Sequence, residues 1–165
     1  MAWSVDALTR KRPGQECMMK NNLTTLRELV EVLNDGKAFY EEAATHVQRP
    51  ELRQLFGRMA RTKNAIAGAL NSRIEARGSC APADGTLTGT LRKAYGEIRA
   101  RLSGSPDDEY IDQLEVFEDR IMNVFREAAG ESDDAEVRAL ASKYMPDVTR
   151  DHSEMSALKH QARQH

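Results

Sequence analysis

Apolar residues recur along this chain at alternating spacings of three and four, in four separate blocks. The first block is Leu26, Leu29, Leu33, Gly36, Tyr40, Ala43 and Val47. The second is Leu52, Leu55/Phe56, Met59, Lys63, Ile66, Leu70 and Ile74. The third is Ile111, Leu114, Glu118, Ile121, Phe125 and Ala128, and the fourth Val137, Leu140/Ala141, Tyr144, Val148, Asp151, Met155 and Leu158. This is the stripe of helices packed at a shallow angle in a bundle. Three charges, Lys63, Glu118 and Asp151, fall on inward positions of their stripes.

The punctuation fits four helices. Thr25 and Glu28 have capping-box spacing, which places the first start near Thr25. The stripe runs unbroken through Asn34-Asp35-Gly36, so one long helix is expected there. A glycine inside a helix costs about 1 kcal/mol relative to alanine, and close approach by another helix would explain Gly36. Pro50 suits the first turn of the second helix, which should stop at Gly78. The third is expected over about 107–129. The fourth is expected over about 134–161, with a kink at Pro146.

Between the second and third helices, residues 78–86 read as a loop. A shorter amphipathic helix over 87–102 follows, with Leu87, Leu91, Tyr95, Ile98 and Leu102 on one side. The stretch 78–108 is too long for a hairpin turn. It suits a crossover that carries the second helix to a third lying parallel to it.

The two halves repeat weakly. At an offset of 85, Tyr40-Glu41-Glu42-Ala43-Ala44 falls on Phe125-Arg126-Glu127-Ala128-Ala129, and Glu51-Leu52-Arg53-Gln54-Leu55 on Glu136-Val137-Arg138-Ala139-Leu140. Two matched antiparallel hairpins make a four-helix bundle.

Composition narrows the classes. The chain has 165 residues, 30% of them charged and 5% aromatic, and a formal net charge of −2. That length supports one domain with a core, and the charge gives no overall basic field for nucleic acid. Cys17 and Cys80 form no CxxC, so a disulfide scaffold is not expected and a cytoplasmic setting is. No apolar run approaches the roughly 20 residues of a membrane span. Residues 1–21 carry no stripe and read as a disordered leader, or as an extension ahead of a true start at Met18 or Met19. The bundle is expected over 22–161.

Several short motifs occur in a fixed order: Asp35-Gly36, Phe39-Tyr40 and Ala43-Ala44, then Pro50-Glu51-Leu52, then Gly85-Thr86-Leu87-Thr88-Gly89, then Glu118-Asp119 ahead of Arg126-Glu127-Ala128-Ala129. In that order, over roughly 23–160, the chain resembles a bacterial family of ferritin-like four-helix-bundle proteins of unknown function. The resemblance implies an all-α ferritin-like bundle of two antiparallel hairpins, with an extra short helix in the crossover. It implies no activity.

A di-metal bundle needs an inward glutamate from each of two helices and a Glu-x-x-His pair from each of the other two. Here Lys63 and Ile66 stand at one such pair and Val148 and Asp151 at the other. The third helix supplies Glu118, and the first offers Leu33 or Gly36, with Asp35 on the flank. Fallback ligands are thus Glu118, Asp151, His152 and Asp35. The alternative is a buried charge cluster in which Lys63 neutralises Glu118, Asp151 or both, since an unpaired buried charge is costly.

The remaining candidates carry little chemistry. Glu41 and Glu42 point about 100° apart on a helix and cannot face one substrate. His46 sits at a helix C-terminus, where a cation is favoured. Met59, Met122, Met145 and Met155 share no common spacing and read as core. Arg92, Lys93, Arg99 and Arg101 make the crossover helix basic, but its apolar side is expected to cover the bundle rather than a membrane. The expected protein is a non-catalytic bundle without metal or cofactor. Its role would be structural or interaction with a protein partner, with stress adaptation by analogy to other bundles. A homodimer along an exposed apolar strip is a further expectation. The competing reading is a metal-storage protein or oxidoreductase with a remodelled site.

Overall fold

The computed structural model describes residues 13–82 and 105–164. They form four helices: α1 (Pro13–His46), α2 (Pro50–Ala76), α3 (Pro106–Glu131) and α4 (Ala135–Ala162). The expected short helix over 87–102 lies outside the described residues.

α1 is already helical at Pro13, the first described residue, well before the expected start at Thr25, so residues 13–21 are helical. Thr25 and Glu28 therefore lie inside α1 rather than at its start. The helix continues through Asn34-Asp35-Gly36, as the stripe requires.

The other ends follow their sequence signals. Pro50 opens α2 as expected, and Pro106, one residue before the expected start, opens α3 in the same way. Gly78, at φ 74°, carries the left-handed turn after α2. Asp134 caps α4, its Oδ1 accepting from the Glu136 N–H at 2.8 Å. Pro146 lies inside α4, which stays helical through it.

Cross-helix contacts fix the topology. α1 and α2 form one hairpin, α3 and α4 the other. α1 also runs antiparallel to α3: Gln48 and Arg49 meet Asp107, Tyr40 meets Glu118, and Asp35 meets Arg120. α2 runs antiparallel to α4, from Arg58–Glu154 at one end to Arg77–Asp134 at the other. α2 and α3 are consequently parallel, which is what a long connection between them allows.

The core divides into two clusters. One holds Leu29, Leu33, Ile66, Leu70, Phe125, Val137 and Val148. The other holds Phe39, Phe56, Met59, Tyr110, Leu114 and Met155. Between helix ends, polar contacts join the hairpins. The buried Asp107 carboxylate accepts from the Gln48 N–H (2.7 Å), the Arg49 N–H (3.1 Å) and Arg49 Nε (3.1 Å). Arg77 Nη2 reaches Asp134 Oδ2 at 2.8 Å and Glu136 Oε2 at 2.5 Å. No described helix is long and apolar enough to cross a membrane.

Candidate functional site: a buried lysine between two carboxylates

All three inward charges of the stripes are buried, with Lys63 2%, Glu118 0% and Asp151 1% exposed. They come from α2, α3 and α4 and meet near the bundle's midpoint. Lys63 Nζ lies 2.6 Å from Glu118 Oε1 and 3.2 Å from Asp151 Oδ2. The ammonium thus contacts both carboxylates.

α1 contributes two features. The Tyr40 hydroxyl donates to Glu118 Oε1 at 2.6 Å, and its ring lies 4.7 Å from Lys63 Nζ, a cation–π distance. One turn earlier, Gly36 makes room for the lysine stem. A Cβ there would lie 3.3 Å from Lys63 Cδ and Cε, and 2.8 Å from Ile121 Cδ1. Asp151 reaches the rim, where its Oδ1 accepts from Arg150 Nη2 at 3.4 Å. Burial first, then the charge of Glu118 and the hydrogen bond to it, push the Tyr40 phenol well above its ordinary range. Glu118 Oε2 is buried and has no hydrogen-bond partner among the described residues.

The other sequence candidates lie elsewhere. Asp35 is buried on the α1/α3 face, with its Oδ2 3.8 Å from Arg120 Nη1. His152 turns to the side and pairs through Nε2 with Asp119 Oδ1 at 2.7 Å. Glu41 lies 3.9 Å from Lys37, and Glu42 3.4 Å from His46. Glu118, Asp151, His152 and Asp35 therefore do not converge. Among the described residues, no three His, Cys, Asp or Glu side chains come together as a metal set. The donor chemistry at the midpoint does not fit a metal pair either: an ammonium sits between the two carboxylates, and Ile66 and Val148 are apolar.

Sequence reading missed Tyr40, Arg150 and Asp107. Tyr40 sits in an apolar stripe and reads as core. The usable signal was its hydroxyl, which needs a partner when buried.

The repeat clarifies the site. The offset of 85 relates Gly36 to Ile121 and Asp35 to Arg120, and each of these pairs meets across α1 and α3. The pseudo-two-fold axis therefore passes between those helices. The same offset relates Tyr40, Lys63, Glu118 and Asp151 to Phe125, Val148, Leu33 and Ile66. All four counterparts belong to a single apolar cluster. The bundle has two equivalent half-sites, one ionic and one apolar.

This architecture defines a helical-bundle protein with a charged centre, and sequence comparison gives its family. The chain belongs to DUF2383, a domain of unknown function, which matches residues 21–131. The crystal structure of a conserved hypothetical protein, rv2844, from Mycobacterium tuberculosis is similar to it with a TM-score of 0.65. The two share 14% identity, and the match covers 84% of this chain and 97% of that one. At that identity the likeness shows a common fold alone. No protein in the curated set matches the chain.

Proposed function

We propose that this chain is a non-catalytic, ferritin-like bundle with a structural or interaction role, in which Lys63 supplies the central positive charge that a metal would supply in a metal-binding relative. The observation that carries this reading is the Lys63 ammonium, 2.6 Å from Glu118 and 3.2 Å from Asp151. A cation fixed there opposes a second one directly. The up-down-down-up order of the helices supports the ferritin-like assignment. The partner in such a role is another protein or a second copy of the chain.

One observation favours the metal-binding alternative: Glu118 Oε2 is a buried acceptor with no partner among the described residues. Elemental analysis of protein purified without chelators separates the two. The expected result is far less than one transition-metal ion per chain. About one iron, manganese or zinc per chain, lost on Glu118→Ala, would overturn the proposal. Affinity capture from native lysate, followed by identification of what is retained, then addresses the partner.

A further inference from the structure

We propose that the part of α4 after Pro146, residues 147–162, is a strap that lifts from the bundle as a unit and gates solvent access to Lys63. This goes beyond the reading above and holds whether or not the bundle has a partner.

Little apolar surface holds this segment. Over its 27 residues α2 buries nine side chains, all but Lys63 apolar. The shorter stretch beyond Pro146 buries Val148, Asp151 and Met155, two of them apolar, with Leu158 half-buried beside Met155, and is the sparser even allowing for length. Segments with few buried apolar contacts open locally at lower free energy than the whole fold.

What holds the segment instead is a row of polar ties to two other helices. Toward α2, Arg58 Nη2 meets Glu154 Oε2 at 2.7 Å, and Lys63 Nζ meets Asp151 Oδ2 at 3.2 Å. Toward α3, His152 Nε2 meets Asp119 Oδ1 at 2.7 Å, and Lys159 Nζ meets Glu115 Oε2 at 2.5 Å. Apart from Lys63–Asp151, these ties are partly open to water. Ties of this kind contribute little each and are screened by salt.

Pro146 supplies the pivot. It lacks the N–H that would bond one turn back, and its ring crowds that carbonyl, so the helix is weakest there. The N-terminal part of α4 is anchored separately, by the Asp134 cap and by Arg77. Lifting of 147–162 would withdraw Asp151 from Lys63 and admit water to the ammonium and to Glu118. It would also take Val148 and Met155 out of the two core clusters, leaving the α1–α2 hairpin packed on α3.

Two measurements on the full chain test this. Native-state hydrogen exchange followed by mass spectrometry reads the opening. Labelling with a water-soluble acylating reagent, mapped by peptide, reads access to Lys63. Amides from Val148 to Leu158 should exchange through one common opening, faster than those of α2 between Phe56 and Leu70. Lys63 should acquire label with the same opening equilibrium, and both should accelerate as salt rises from about 0.01 M to about 1 M. Arg58→Gln combined with Lys159→Gln should accelerate both roughly tenfold while leaving the α1–α2 amides unchanged. Protection of 148–158 equal to that of α2 would overturn the proposal. So would protection graded residue by residue from the C-terminal side, labelling of Lys63 only on global unfolding, or no response to the double substitution.

Discussion

At the level of single residues, Lys63 decides the character of the centre. Removing one member of a buried ion pair leaves an uncompensated charge and costs about 3–5 kcal/mol. Lys63→Met strands both Glu118 and Asp151, so chemical denaturation should show a loss of that order. A variant as stable as the parent would mean that the three groups are not coupled. Gly36 belongs to the same scale. Alanine there gains about 1 kcal/mol of helix propensity, but its Cβ would lie 2.8 Å from Ile121 Cδ1. Overpacking a core costs about 1–3 kcal/mol, so Gly36→Ala should be net destabilising. Ile121→Val removes the nearer obstruction and leaves the Lys63 stem at 3.3 Å, so in that background Gly36→Ala should cost less than it does alone. The charges and the glycine were legible because each breaks an otherwise apolar stripe. Tyr40 was not, because a phenol fits the stripe and conceals its hydroxyl.

Among elements, helix ends carry most of the specific chemistry. Burial by itself pushes Asp134 up. Hydrogen bonds from Arg77 and from the Glu136 N–H, together with the charge of Arg77, outweigh it and hold the carboxyl below its ordinary range. A depressed carboxyl stabilises the fold fully above its unfolded pKa of about 3.9, and that contribution is lost as pH falls through the lower native value. Asp134→Asn keeps a capping oxygen but cannot titrate. Its stability deficit relative to the parent, measured by thermal unfolding, should be constant above about pH 5 and shrink below about pH 4. A deficit independent of pH would detach the cap from Arg77. The extents of α2, α3 and α4 were readable because Pro50, Gly78 and Asp134 sit at borders and the apolar stripes run out at the others. The start of α1 was misread: Pro13 and Gly14 suggest a break, and no stripe before Leu26 contradicts that reading. Asp107 could not be recognised from sequence either. Its partners, Gln48 and Arg49, lie far away along the chain and become neighbours only once α1 and α3 are antiparallel.

For the molecule as a whole, the internal repeat is the organising fact, and one half of it has become ionic. The counterparts Phe125, Val148, Leu33 and Ile66 show what an apolar version of the same place looks like in this very fold. Copying them gives a direct test. The fourfold variant Tyr40→Phe, Lys63→Val, Glu118→Leu, Asp151→Ile exchanges the charged centre for its apolar twin. Replacing a buried ionic group by hydrophobic residues is often neutral or stabilising by about 1–4 kcal/mol. The variant should therefore fold and resist denaturant at least as well as the parent. Failure to fold would mean that the charges specify how the hairpins register, a role that stability alone does not require. The pairing of hairpins was visible in the offset of 85. The placement of its axis was not, because only the meeting of Gly36 with Ile121 and of Asp35 with Arg120 locates it.

An ammonium tethered to the backbone cannot be stripped by a chelator, starved by scarce nutrients or exchanged for the wrong element. On the proposed reading, a bundle whose middle is filled this way needs no metal to assemble, and its heat resistance should not change when EDTA is added.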